Sequence, residues 1–175
     1  MSRRKVICIL LLLVIILFDM VLFWLDRNEY YFIFLKSTGY IFPIILNIIV
    51  FFVIGKTLKL SNDINGIVLI LGIIILGGYS FFFSITNLEY STSTSPEESE
   101  ILYIGHRTAT LGETRYIYVF YQEKYGVFMK KIVGKDLVLI NSGLPTDSPT
   151  WVNEHKVKFS YADGDSSKEH LLILE

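Results

Sequence analysis

Three apolar runs in the first half of the chain leave few folds open. Val6 to Leu25 (VICILLLLVIILFDMVLFWL), Gly39 to Ile54 (GYIFPIILNIIVFFVI) and Gly66 to Ile85 (GIVLILGIIILGGYSFFFSI) hold a single charged residue, Asp19, between them. A helix crosses the roughly 30 Å hydrocarbon layer with about 20 mostly apolar residues. The first and third runs meet that length. The second is shorter, and Tyr30 to Leu35 (YYFIFL) is expected to extend it or to lie along the interface. None has the polar stripe of a soluble amphipathic helix. The expected fold class is therefore membrane α + β: three transmembrane helices followed by a small antiparallel β-meander domain.

The charge pattern gives an orientation. Ser2-Arg3-Arg4-Lys5 resembles the start of a signal peptide, but the apolar core is too long and no small-x-small cleavage site follows. The first run is read as a retained span. Arg3, Arg4 and Lys5 precede it, and Lys56 and Lys59 lie between the second and third runs. The first connection has only Arg27 and Lys36, offset by Asp26 and Glu29, and no Lys or Arg follows the third run until Arg107. Basic residues stay on the cytoplasmic side, so the expected localisation is a multi-pass protein of the cell membrane, N-terminus cytoplasmic and C-terminal domain extracytoplasmic. Trp24, Tyr30, Tyr31, Tyr40, Phe42 and Phe81 to Phe83 fall toward the expected outer interface, where aromatic rings favour the headgroup layer.

Asp19 and Asn47 are the polar residues that matter within the spans. A carboxylate deep in a membrane helix costs about 2.5–3.5 kcal/mol on insertion scales, so it implies a partner or a function. Asn47 is a candidate to hydrogen-bond Asp19 or another helix. Pro43 is expected to start or kink the second helix, and Gly72, Gly77 and Gly78 to allow close helix approach in the third. Cys8, the one cysteine, excludes an internal disulfide and reads as a small apolar helix residue.

The composition then changes. Residues 86–100 (TNLEYSTSTSPEESE) are Ser, Thr and Glu with little to bury, and are expected to be a flexible acidic linker with Glu97, Glu98 and Glu100 solvated. That divides the chain into a membrane region 1–85 with spans near 6–25, 38–55 and 66–85, the linker 86–100, and an extracytoplasmic β domain 101–175. Strands are expected at Ile101–Thr108, Arg115–Gln122, Val127–Val133, Leu137–Asn141, Lys156–Tyr161 and His170–Leu174, with turns at Leu111-Gly112, Lys124 to Gly126, Gly134-Lys135 and Asp163-Gly164. Val157, Phe159 and Tyr161 alternate with Lys156, Lys158 and Ser160, the pattern of a half-buried strand. Tyr116 to Tyr121 is apolar on both faces and is expected to be central.

Asp147-Ser148-Pro149-Thr150-Trp151, followed by Val157-Lys158-Phe159 and Asp163-Gly164, resembles one hairpin of certain bacterial β-propeller blades. A single blade cannot close a propeller, so the resemblance implies a meander sheet of four to six strands. Gly105 to Thr114 with Tyr116 to Tyr121 resembles a stretch of small uncharacterised membrane proteins of Gram-positive bacteria with a C-terminal extracytoplasmic β domain. That likeness implies a layout and no activity. The near absence of alanine (Ala109 and Ala162 alone) also fits an AT-rich bacterial genome.

No catalytic motif is legible. His106, His155 and His170 share no metal-ligand spacing, and GxSxG, HExxH and phosphate-loop patterns are missing. Asp163-Gly164-Asp165 reads as a hairpin turn, not a calcium loop. His106 and Arg107 with Glu113 form a candidate surface polar site on the first hairpin. Lys130, Lys131 and Lys135 could meet anionic envelope polymers or headgroups, or guard a sheet edge. The net charge of −1 excludes a nucleic-acid partner. The reading is a non-enzymatic protein without cofactor or metal. Its partners are the lipid bilayer and a membrane or envelope protein, bound through the outer β domain. The alternatives are an accessory or immunity-type membrane subunit that packs its helices against a larger complex, and a small oligomeric transporter or channel.

Overall fold

The computed structural model describes residues 2–140, 149–163 and 166–174. The chain divides into two compact units, Met1–Glu29 with Phe34–Thr86, and Tyr30–Ile33 with Asn87–Glu175.

The first unit holds three helices, α1 (Arg3–Arg27), α2 (Ile41–Thr57) and α3 (Asn62–Thr86). Ser2 caps α1, its hydroxyl accepting from the Lys5 N–H at 3.5 Å. The helix stops at Asn28, whose side-chain amide donates to the Trp24 carbonyl at 2.7 Å, before Glu29 turns left-handed at φ 63°. Pro43 lies in the first turn of α2, where its missing N–H costs no helical bond, so it starts the helix without kinking it. The α2–α3 turn is closed by Asn65, whose amide donates to the carbonyls of Leu60 and Ser61 at 3.2 and 3.1 Å. Gly55 leaves room for that side chain: a Cβ there would collide with Asn65 Oδ1. Higher up, a Cβ on Gly72 would come within 2.8 Å of Ile48. Of the three glycines expected to allow close approach, Gly72 does so within the chain, while Gly77 and Gly78 face open space.

Helices α1 and α3, 25 residues each, are long and apolar enough to cross a membrane. Their apolar side chains are largely uncovered by the rest of the chain; Val14 is 64% exposed and Ile73 66%. Helix α2 is apolar but has 17 residues, short of the length of the other two. Tyr30 to Leu35, expected to extend it or to lie along the interface, do not extend it: Tyr30–Phe32 form strand β1 and Ile33–Leu35 a 3-10 turn. Aromatic residues favour strands where a partner edge exists, and β1 has one in the second unit.

That second unit contains two antiparallel sheets, not the single meander expected. Strands β2 (Glu89–Thr94), β3 (Ile101–Leu111), β4 (Glu113–Lys124), β5 (Phe128–Lys131) and β6 (Leu137–Ile140) join β1 in six strands. Strands β7 (Thr150–Asn153), β8 (Lys156–Asp163) and β9 (Ser166–Ile173) form the other sheet. As expected, β4 is central. One edge of it pairs β3 along its length; the other is shared by β6 at Arg115–Tyr118 and β5 at Tyr121–Lys124. The hairpin turns at Gly112 and at Tyr125-Gly126 use left-handed backbone, with φ 84°, 59° and 69°. Leu102, Ile104, Tyr118, Phe120 and Leu139 on one face pack against Val157, Phe159 and Leu172 of the smaller sheet and Leu174 just beyond it. Tyr103, Val119, Tyr121 and Met129 form a second cluster on the opposite face, with Tyr31, Ile33 and Tyr90 against it. Asn141, Asp147, Ser148, Gly164 and Asp165, which belong to readings made from sequence, lie outside the described residues.

Residues 86–100 are not a free linker. Strand β2 pairs with β3 from Glu89↔His106 to Thr94↔Ile101. The turn after it is bound to the β7–β8 turn through Glu154, whose carboxylate accepts from the Glu97 N–H at 3.1 Å and the Ser99 hydroxyl at 2.7 Å. Glu100 accepts from the buried Gln122 amide at 2.8 Å, and His155 Nδ1 lies 3.9 Å from its other oxygen. Ser93 accepts from the Trp151 indole at 2.8 Å, a further link between the sheets. Short polar side chains that looked unable to support structure supply the bonds between the two sheets.

Two outcomes follow from this packing. In detergent, Gly72→Val lowers the thermal unfolding midpoint of the helical unit, because Ile48 must move, by an amount corresponding to about 1–3 kcal/mol; Gly77→Val leaves it unchanged. Glu154 is held below its ordinary value of 4.5 by hydrogen bonds from Ser95 and then Ser99, helped by the Glu97 N–H and the charge of His155. A carboxyl depressed in the folded state contributes above its unfolded value and loses that contribution as pH falls below it. Urea titrations should show the midpoint of the β unit falling below about pH 4.5, and Glu154→Gln should flatten part of that fall.

Candidate functional site

Seven residues separate Asp19 from Asp26, two helical turns, so both carboxylates lie on one face of α1. Opposite them, the N-cap and first two turns of α2 supply Tyr40, Pro43, Ile44 and Asn47. Together with Leu22 and Phe23 these residues line a groove of about 330 Å³. The Asn47 amide donates to Asp19 Oδ1 at 3.1 Å and to the Pro43 carbonyl at 3.1 Å, which uses both of its N–H bonds. The pair picked out from the sequence is thus in direct contact. Tyr40 lines the groove with Asp26. Its backbone N–H donates to the Tyr79 hydroxyl of α3 at 2.8 Å, so all three helices fix this rim. Asp26 and Tyr40 had been read only as a loop charge and an interfacial ring; the seven-residue spacing of the two acids was the signal that joins them.

Such a groove can hold a proton or accept a hydrogen-bond donor or a cationic side chain.

The surface polar site expected from His106, Arg107 and Glu113 does not assemble. Neighbours on a strand face opposite ways, so His106 and Arg107 lie on different faces of β3. His106 pairs with Tyr118 in register and stacks on its ring, with Nε2 3.5 Å from Glu89. Glu113 pairs five positions further along, opposite Leu111, and meets Arg115 at 3.8 Å. At about 3.4 Å per residue that is some 17 Å of strand. Closeness in sequence around a hairpin was mistaken for closeness in register.

The other histidines are tied to the frame. His170 stacks on Phe120 and its Nε2 lies 3.0 Å from the Lys135 carbonyl, so that nitrogen carries the proton. On the second face, burial and then a 2.8 Å hydrogen bond to Glu123 push the Tyr103 hydroxyl up to about 12. Burial likewise raises Tyr90 and Tyr121. These phenols are protonated donors at neutral pH. Among the described residues, no three His, Cys, Asp or Glu side chains are grouped to hold a metal ion.

Comparisons with protein-family models, curated proteins and solved structures return no match.

Loss of the Asp19–Asn47 bond leaves the acid without its donor. Asn47→Leu should lower the unfolding midpoint of the detergent-solubilised protein by an amount corresponding to about 1–3 kcal/mol, and Asp19→Leu combined with Asn47→Leu should restore much of it. Equal losses in the single and double variants would show that the bond contributes nothing.

Proposed function

We propose that the chain is a three-span protein of the cell membrane, N-terminus cytoplasmic, whose β domain stands on the outer side and binds an envelope partner without catalysing a reaction. The observation that carries this reading is the pairing of β1 with β5, Tyr30↔Lys130 to Phe32↔Phe128. Strand β1 lies in the connection between α1 and α2, and β5 lies beyond α3. Two strands can pair only on one side of a bilayer. The number of crossings between them must therefore be even: α2 and α3 both cross, or neither does. Helix α3 has the length and apolarity of a span, and parity then supports a second crossing by α2. Its 17 residues span about 26 Å at 1.5 Å per residue, at the lower limit for a crossing. The basic residues before α1, Arg3 to Lys5, and between α2 and α3, Lys56 with Lys59, favour the same arrangement.

A second reading rests on the Asp19 groove. It makes the helices the recognition surface, and the protein an accessory subunit packed against a membrane partner whose helix presents a basic or hydrogen-bonding residue.

Single cysteines test the topology, with Cys8→Ser as background. In right-side-out vesicles a membrane-impermeant maleimide should label Ser37→Cys and Tyr125→Cys, and should label Ser61→Cys only after permeabilisation. Labelling of Ser61→Cys from outside would place the α2–α3 turn with the β domain and remove the three-span anchor.

A further inference from the structure

One face of the six-stranded sheet is covered by the chain only in part. Residues paired across neighbouring strands point to the same side of a sheet. The register therefore puts Arg107, Ile117 and Val138 in one row across β3, β4 and β6, and Ala109, Arg115 and Ile140 in the next. Both rows share the face of Val119 and Tyr121, because alternate residues of β4 point the same way. Ile117 packs at the border of that cluster. Beyond it, Val138 and Ile140 are 51% and 49% exposed.

The cover ends where the chain enters the sheet. Leu88 and Tyr90 lie over Gly105, so close that a Cβ there would come within 2.9 and 3.2 Å of them. Strand β2 begins with Glu89↔His106 and so stops short of Arg107. Leu88 is two residues past Thr86, the last of α3, a reach of about 7 Å. Tyr31 and Ile33, which pack on the same face, belong to the α1–α2 connection. The face thus receives residues from both connections to the apolar helices, and its open rows start beside one of them.

Two arginines among aliphatic side chains suit a phospholipid surface. A guanidinium bonds phosphate oxygens in pairs and keeps its charge, while aliphatic tips enter the boundary between headgroups and acyl chains. Arg115 meets Glu113 at 3.8 Å, with both side chains more than half exposed; such a pair contributes little and yields readily to a phosphate. The outer face of the smaller sheet also shows Leu171 and Ile173, paired with Lys158 and Lys156. Its strands begin at Thr150, far in sequence from α3. We propose that the face of Arg107, Arg115, Val138 and Ile140 docks on anionic phospholipid headgroups of the bilayer that α3 crosses. This rests on the membrane placement of α3 in the proposed function and goes beyond it by giving the β domain a lipid contact.

Bimane fluorescence of the full chain in nanodiscs tests the contact. The label is attached at Val138→Cys, Ile140→Cys, Leu171→Cys or, within α3, Ile73→Cys, each with Cys8→Ser. Phosphatidylglycerol discs holding a single copy carry phosphatidylcholine spin-labelled in the headgroup or in the acyl chain as quencher. The headgroup label should cut the emission at Val138→Cys and Ile140→Cys by about half or more, as expected for side chains seated at the headgroup boundary, and leave Leu171→Cys unchanged. The acyl-chain label should quench Ile73→Cys, which reports the membrane placement of α3 separately. Arg107→Gln with Arg115→Gln, or high salt, should restore the emission at Val138→Cys without changing the far-ultraviolet circular dichroism. Quenching at Ile73→Cys with none at Val138→Cys and Ile140→Cys would overturn the docking alone and leave the anchor standing. No quenching at any position would overturn both. Equal quenching at Leu171→Cys, or quenching indifferent to the arginines, would overturn recognition by this face.

Discussion

Everything in the β unit depends on β4 being buried on both sides. Its Tyr118 and Phe120 face the smaller sheet, and its Val119 and Tyr121 face the second cluster. A strand with one wet face would alternate apolar and polar residues; a run that is apolar throughout fits only where both faces are covered. At twelve residues it is also long enough to pair with two short strands, β5 and β6, along one edge. The chain leaves β4 after β5 and returns to it as β6 at that junction.

The helical unit obeys a different constraint. Its helices satisfy their own backbone and their few polar side chains within a turn or two, as Asn65 does at the α2–α3 corner and Asn47 does against Pro43. What they do not satisfy internally is their apolar surface: Leu10, Met20 and Ile70 remain more than half exposed. In water such a surface would drive association at about 25 cal/mol per Å². In hydrocarbon it costs nothing, and the determinants of packing become close fits such as Gly72 on Ile48 and isolated polar contacts such as Asp19 with Asn47.

Much of this was legible where the signal is local. The apolar runs announce α1 and α3 by composition, the turns at Gly112 and Tyr125-Gly126 by their backbone demands, and Asp19 by the cost of placing an acid among apolar residues. What escaped was non-local. Nothing in Tyr30-Tyr31-Phe32 says that its partner lies beyond the third helix. Glu89 to Thr94 has the composition of a spacer, yet is a strand because β3 offers an edge and Trp151 and Glu154 offer donors and acceptors. Strand propensity is a property of the surroundings more than of the residue. The division into two sheets and the false grouping of His106, Arg107 and Glu113 share that origin, since register is set by pairing and cannot be counted along the chain.

Strand β1 also sets an order of events during synthesis. Tyr30 pairs with Lys130, one hundred positions later. At roughly 5–20 residues per second the ribosome needs about 5–20 seconds to deliver that partner. Through that interval three aromatic residues and an unpaired backbone edge wait in a nascent polypeptide, the condition under which strands find wrong partners. The β1 margin of the sheet can close only after β5 has emerged, and β6, which begins six positions beyond the end of β5, is the last strand to reach the same sheet.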